Sequence, residues 1–89
     1  MHYSFSALNR KSVSVTVHST FVYHDTSTNY IISLVFHRDG SKAFRRVQKS
    51  FSSIDKAERF HADSAIRLMD KGYDLQTSNC KYAIGTDFY

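Results

Sequence analysis

Between positions 38 and 49 the chain carries five basic side chains, Arg38, Lys42, Arg45, Arg46 and Lys49, against one acid, Asp39. Phe44 lies among them, and His37 and Phe51 stand close on either side. Cations at this density attract phosphate, because each Lys or Arg that meets a phosphate releases condensed counterions. Aromatic rings between the cations add a second contact, since an unpaired base stacks on such a ring for about 1–3 kcal/mol. The same residues also have a purely structural use, as an edge strand whose charge keeps it from pairing with other chains. Spacing alone does not separate the two uses.

The histidines offer a different chemistry. Imidazole titrates near neutral pH, so two histidines held together could act as acid and base in a metal-independent ribonuclease. Nothing in the sequence sets His18 against His37, so the chain reads as a binding protein without catalytic residues. Zinc usually takes three or four converging His, Cys or carboxylate ligands, and no short ligand pair of useful spacing occurs here; neither a metal nor another cofactor is expected. His61, between Ala57 and Ala65 on an apolar helical stripe, is expected to be a core histidine bonded to backbone or to a Tyr hydroxyl. Cys80 is the one cysteine. It reads as a small buried apolar residue, and alone it excludes a disulfide framework.

These side chains need elements to position them. From Ser12 to His24 the residues alternate, with Val13, Val15, Val17, Phe21 and Tyr23 on one face and Ser14, Thr16, His18, Thr20 and His24 on the other, the period of a half-buried strand. The alternation lapses at Ser19 and Thr20, where a bend or bulge is expected. After the polar connection 25–29, Tyr30, Ile32, Leu34 and Phe36 alternate with Ile31, Ser33, Val35 and His37. Both faces are substantially apolar, which suits a central strand. Asp39-Gly40 then signals a hairpin. The third run, Ala43 to Phe51, has an impure alternation and reads as a basic edge strand. Ser52 with Asp55 three residues on resembles a capping box, and Gly72 supplies a left-handed stop. Between them Ile54, Ala57, Ala65, Leu68 and Met69, widened by Phe60 and Ile66, form the apolar stripe of a helix laid on a sheet, with Lys56, Arg59, Asp63, Arg67 and Asp70 opposite. Cys80, Tyr82 and Ile84 alternate in the tail and suggest one more strand. The expected fold is α+β, a single domain over residues 1–89: a three-stranded antiparallel meander, one amphipathic helix and a fourth C-terminal strand.

Composition narrows the function classes. At 89 residues with 42% hydrophobic and 22% charged residues, the chain has enough apolar surface for a core and too much for disorder. No apolar run approaches a membrane span, and the N-terminal residues 1–11 lack the pattern of a signal peptide, so a cytoplasmic protein without membrane association is expected. Phosphate-binding glycine loops, Gly-x-Ser-x-Gly, Cys-x-x-Cys and His-Glu-x-x-His are missing, and Glu58 is the one glutamate, which argues against the common hydrolase, kinase, redox and two-carboxylate chemistries. The net charge of +4 is uneven. Residues 1–51 carry seven Lys or Arg against two acids, whereas residues 52–89 carry five against six.

The order of strands then helix, with Phe44-Arg45-Arg46-Val47 in the third run and residues 51–60 opening the helix, resembles Pur-type and Whirly-type single-strand nucleic-acid binders. That resemblance implies a curved antiparallel sheet on unpaired strands, often in a dimer. The pattern Phe51-Ser52-Ser53-x-Asp55-Lys56-Ala57 before the helix is similar to the end of a WGR-type module, although the Trp-Gly-Arg core is missing. In texture, a small chain without Pro, rich in Ser, Tyr, Phe and Lys, resembles accessory proteins of tailed bacteriophages, which act on host machinery or host defence by binding. The leading expectation is therefore an RNA or single-stranded DNA binder. Arg38, Lys42, Arg45, Arg46 and Lys49 would meet phosphates, and Phe44 with the His18/His37 sheet surface would meet bases or sugars. The alternative is an inhibitor or adaptor whose basic edge docks on an acidic protein, by strand addition for instance. A homodimer stands beside both, because an open sheet face is a surface that copies can cover by pairing.

Overall fold

The computed structural model describes residues 2–10, 14–24, 26, 28–38 and 42–80. Five strands, β1 (His2–Asn9), β2 (Val15–His24), β3 (Asn29–Arg38), β4 (Ala43–Phe51) and β5 (Asp74–Asn79), and one helix, α1 (Ile54–Asp70) between β4 and β5, make an α+β domain. The strands form one antiparallel sheet in the order β4-β3-β2-β1-β5. Consecutive strands from β1 to β4 are neighbours. The pairings leave β4 and β5 running the same way at opposite edges, and α1 is the long connection that strands of like direction require.

The meander thus begins one strand earlier than expected, with β1. The C-terminal strand is β5, ahead of the segment anticipated from Cys80, Tyr82 and Ile84; Tyr82 and Ile84 lie outside the described residues, as do Val13 and the Asp39-Gly40 turn. The expected bend at Ser19 is absent. β2 pairs with β3 residue for residue from Val15 to His24, and Ser19 points into the core at 2% exposure. The ladder irregularities lie elsewhere: between Ser6 and Ala7 against β5, and between Phe36 and His37, where Phe36 faces Arg45 and His37 faces Ala43, so that Phe44 is an extra residue in β4. Such a bulge re-aims the side chain it adds.

Inward residues alternate cleanly, with Phe5 and Ala7 from β1, Val17, Ser19 and Phe21 from β2, and Ile32, Leu34 and Phe36 from β3. Against them α1 buries Ala57, His61, Ser64, Ala65 and Leu68, positions three or four apart that share one helix face. The apolar core falls into two clusters, one around Phe5, Val17, Leu34, Phe36, Ala65 and Leu68, the other around Phe21, Ile32 and Ala57. His61 joins them, its ring centroid 5.0 Å from that of Phe5 and 5.6 Å from that of Phe21.

His61 is a core histidine, and one of its ring nitrogens meets a serine hydroxyl of β2. Its Nε2 lies 2.7 Å from Ser19 Oγ, and the same hydroxyl accepts the Phe5 N–H at 2.8 Å. Because Phe5 donates to a side chain on β2, the β1–β2 register passes from Tyr3 opposite Phe21 to Ser6 opposite His18 with a side-chain bond between. Burial disfavours the imidazolium and lowers the His61 pKa from 6.5 to about 4.

The helix ends also differ from expectation at one side. The N-cap is Ser53, with no side-chain capping hydrogen bond, so no Ser52/Asp55 box forms. At the other end Gly72 takes φ 96°, its N–H bonds Met69 O at 3.0 Å, and the Tyr73 N–H bonds Leu68 O at 3.0 Å. This pair of bonds is a Schellman closure. No helix among the described residues is long and apolar enough to cross a membrane.

Candidate functional site

Sheet parity sorts the basic residues of β4. Arg45 faces Phe36 and Lys49 faces Ile32, both core positions of β3, so these two cations lie on the helix-covered side. Arg46 faces Val35 and projects from the other side. The bulge turns Phe44 toward the helix side, where its ring packs against Phe36 at 6.3 Å, and the Arg38 guanidinium lies 4.3 Å from its centroid. Phe44 is 46% exposed, the largest exposed ring of the described residues.

Between β4 and the last turns of α1 these residues border a groove of about 380 Å³. Its floor is Leu34, Phe36, Val47 and Leu68, and its rims carry the cations Arg45 and Lys49 from β4 and Arg67 and Lys71 from the helix end. Phe44, Phe60 and Tyr73 add rings, and no carboxylate of the described residues lines it. Each contribution has a local cause. Arg67 and Lys71, four apart, share a helix face and complement the carbonyl end of the helix. The Schellman closure at Gly72 swings Tyr73 back onto Leu68 and so onto the groove. Arg45 sits 5.3 Å from the Phe36 ring and Lys49 Nζ 5.3 Å from the Phe60 ring, so both cations rest over aromatic faces.

The opposite sheet face is different. His18 and His37 meet there edge to face, 5.7 Å between centroids, diagonal neighbours on β2 and β3. Ser33 Oγ donates to Gln48 Oε1 at 3.4 Å. Ile31, Val35 and Val22 interrupt the polar residues, and by register no Phe or Tyr of the described residues projects from this face.

The interface expected from sequence is therefore divided. Phe44, Arg45 and Lys49 stand together in the groove with Arg38 beside Phe44, whereas Arg46, His18 and His37 share the uncovered face. Lys42 is exposed just before β4 and is not among the residues lining the groove. Phe44 and the His18/His37 surface, both expected to meet bases or sugars, lie on opposite sides of the sheet. Arg67, Lys71, Phe60 and Tyr73 were not anticipated as site residues; the signal for the two cations was their four-residue spacing across the helix end, Arg67 in the last turn and Lys71 at the C-cap before Gly72. Among the described residues no three His, Cys, Asp or Glu side chains gather as a metal site would need. No family model, curated protein or solved structure matches this chain.

Proposed function

We propose that this domain binds single-stranded nucleic acid, RNA or DNA, in the groove between β4 and α1. The observation that carries the reading is the lining itself: four cations and three aromatic rings around an apolar floor, with no carboxylate among the described lining residues. Such a lining suits a polyanion whose units each bring a phosphate and a flat apolar base. A volume of about 380 Å³ matches a small-ligand pocket and receives a nucleotide, not the width of a duplex. Arg45, Lys49, Arg67 and Lys71 hold phosphates, and Phe44 and Tyr73 offer ring faces to the base.

The test is a titration of labelled RNA, single-stranded DNA and duplex DNA at several salt concentrations. Four phosphate contacts on a single strand give log K against log salt a slope of about −3, from roughly −0.7 per contact. Arg45→Ala with Arg67→Ala should weaken all sequences alike and bring the slope toward about −1.5. No retardation of any strand at low salt ends the proposal.

A second reading rests on β4 itself, whose outer edge pairs with no strand of the described residues. An inhibitor or adaptor of phage type would add a strand of an acidic host protein there. A stoichiometric protein partner that survives nuclease and moderate salt favours this reading over the first.

A further inference from the structure

The division of cations between the two faces of β4 has a geometric consequence. Among the described residues β4 is an edge, so its two faces are joined by open sheet margin and not by another of the five strands. Arg45 and Arg46 are consecutive, one on each side of that margin. Seven of the nine β4 residues are exposed. On the groove side the cation row is Arg45 and Lys49; on the far side Arg46 stands beside Gln48, with His37 and then His18 one and two strands further in. No Asp or Glu lies in β3 or β4 to interrupt the basic potential around the edge.

We infer that a bound single strand does not stop at the groove but bends over the β4 edge, placing its next phosphate on Arg46 and a base against the His37/His18 pair. This rests on the groove being a nucleic-acid site. The occupant is set by charge: a polyanion with a flexible backbone can meet cations on both faces of one strand, while a duplex is too stiff to fold round so narrow a margin. The imidazole pair serves as a small stacking platform, a role ring side chains of this size fill for unpaired bases. The bulge that carries Phe44 belongs to the same path. It puts an exposed ring at the start of β4, at the mouth of the groove, without removing Arg46 from the other face.

Length dependence separates this path from a groove-only site. Fluorescence anisotropy with oligo-U and oligo-dT of about 4 and about 12 nucleotides, within the range of single-strand site sizes, is measured on the wild type, on Arg46→Ala with His37→Ala, and on Arg45→Ala with Arg67→Ala. The edge-crossing path requires the Arg46/His37 variant to lose about tenfold to a hundredfold in affinity for the 12-mer, with 4-mer affinity unchanged. The 4-mer result also serves as the folding control, since both side chains lie on the far face. Loss of both lengths in the Arg45/Arg67 variant supports the groove as the anchoring half. An Arg46/His37 variant that binds the 12-mer as the wild type does overturns the edge crossing and leaves the groove site standing. Absence of binding to both lengths by the wild type at low salt overturns both.

Discussion

Lowering the pH should destabilise this domain through one side chain. His61 is fully buried and holds a pKa of about 4, against 6.5 for an unhindered imidazole. The unfolded chain therefore takes up a proton at a pH where the folded chain resists it, and folded stability falls as pH drops from 6.5 toward 4. Above 6.5 both states are neutral at this position and the contribution is constant. The difference between the two titrations is worth about 2 kcal/mol at pH 5 and about 3 kcal/mol at pH 4. Against a typical total of about 5–15 kcal/mol for a domain, that is a large share from one imidazole. Urea unfolding of the wild type and of His61→Gln across pH 7.5 to 4 isolates it, because carboxylates common to both chains cancel in the difference. The variant starts less stable, since it loses the ring between Phe5 and Phe21, and the gap should close by about 3 kcal/mol on reaching pH 4. Parallel stability curves for the two chains through that window would refute the reasoning.

Ser19→Ala removes the hydroxyl that accepts the Phe5 N–H and meets His61 Nε2; a loss of about 1–3 kcal/mol is expected by chemical denaturation at pH 7. Gly72→Ala forces a Cβ into a backbone at φ 96° and should cost about 1–2 kcal/mol, read as a lower thermal midpoint. Phe44→Ala touches an exposed ring, so the midpoint should stay within a few degrees. Its affinity for oligo-U or oligo-dT should fall by about 1–3 kcal/mol, and unchanged affinity would remove that ring from the binding surface.

The α+β class and the helix were legible because their signals are local. Alternation in 30–37 and the spacing from Ile54 to Gly72 each reside in a short window. β1 was not legible, since the inward side of His2–Asn9 offers little beyond Phe5 and Ala7 as a buried pattern. Ser19 misled in an informative way. A polar residue at an inward position reads as a lapse in the strand, yet its complement is His61, 42 residues later, and no window of sequence joins the two. The groove was half legible for the same reason. Its β4 half follows from the cluster 38–49, but Arg67, Lys71 and Tyr73 reach it through the path of the helix across the sheet. Alternation alone would have parted Arg45 from Arg46; the bulge that brings Phe44 to the groove side has no comparable mark in the sequence.

The sheet order also sets a schedule for the chain's own assembly. Strands β2, β3 and β4 find partners that are near in sequence, whereas β5 closes on β1 with Ser4 opposite Asn79, the most distant pairing in the sheet. Contacts of such separation form late, because a long loop must be closed before they give any return. During synthesis the four-stranded meander has every residue it needs once Phe51 has emerged. The outer edge of β1 then waits for α1 to be made and to cross the sheet. Through that interval the nascent domain presents two open strand margins, a basic one at β4 and a β1 margin whose described residues 3–9 carry no charge. The uncharged margin is the one exposed to mispairing with neighbouring chains until β5 arrives to cover it.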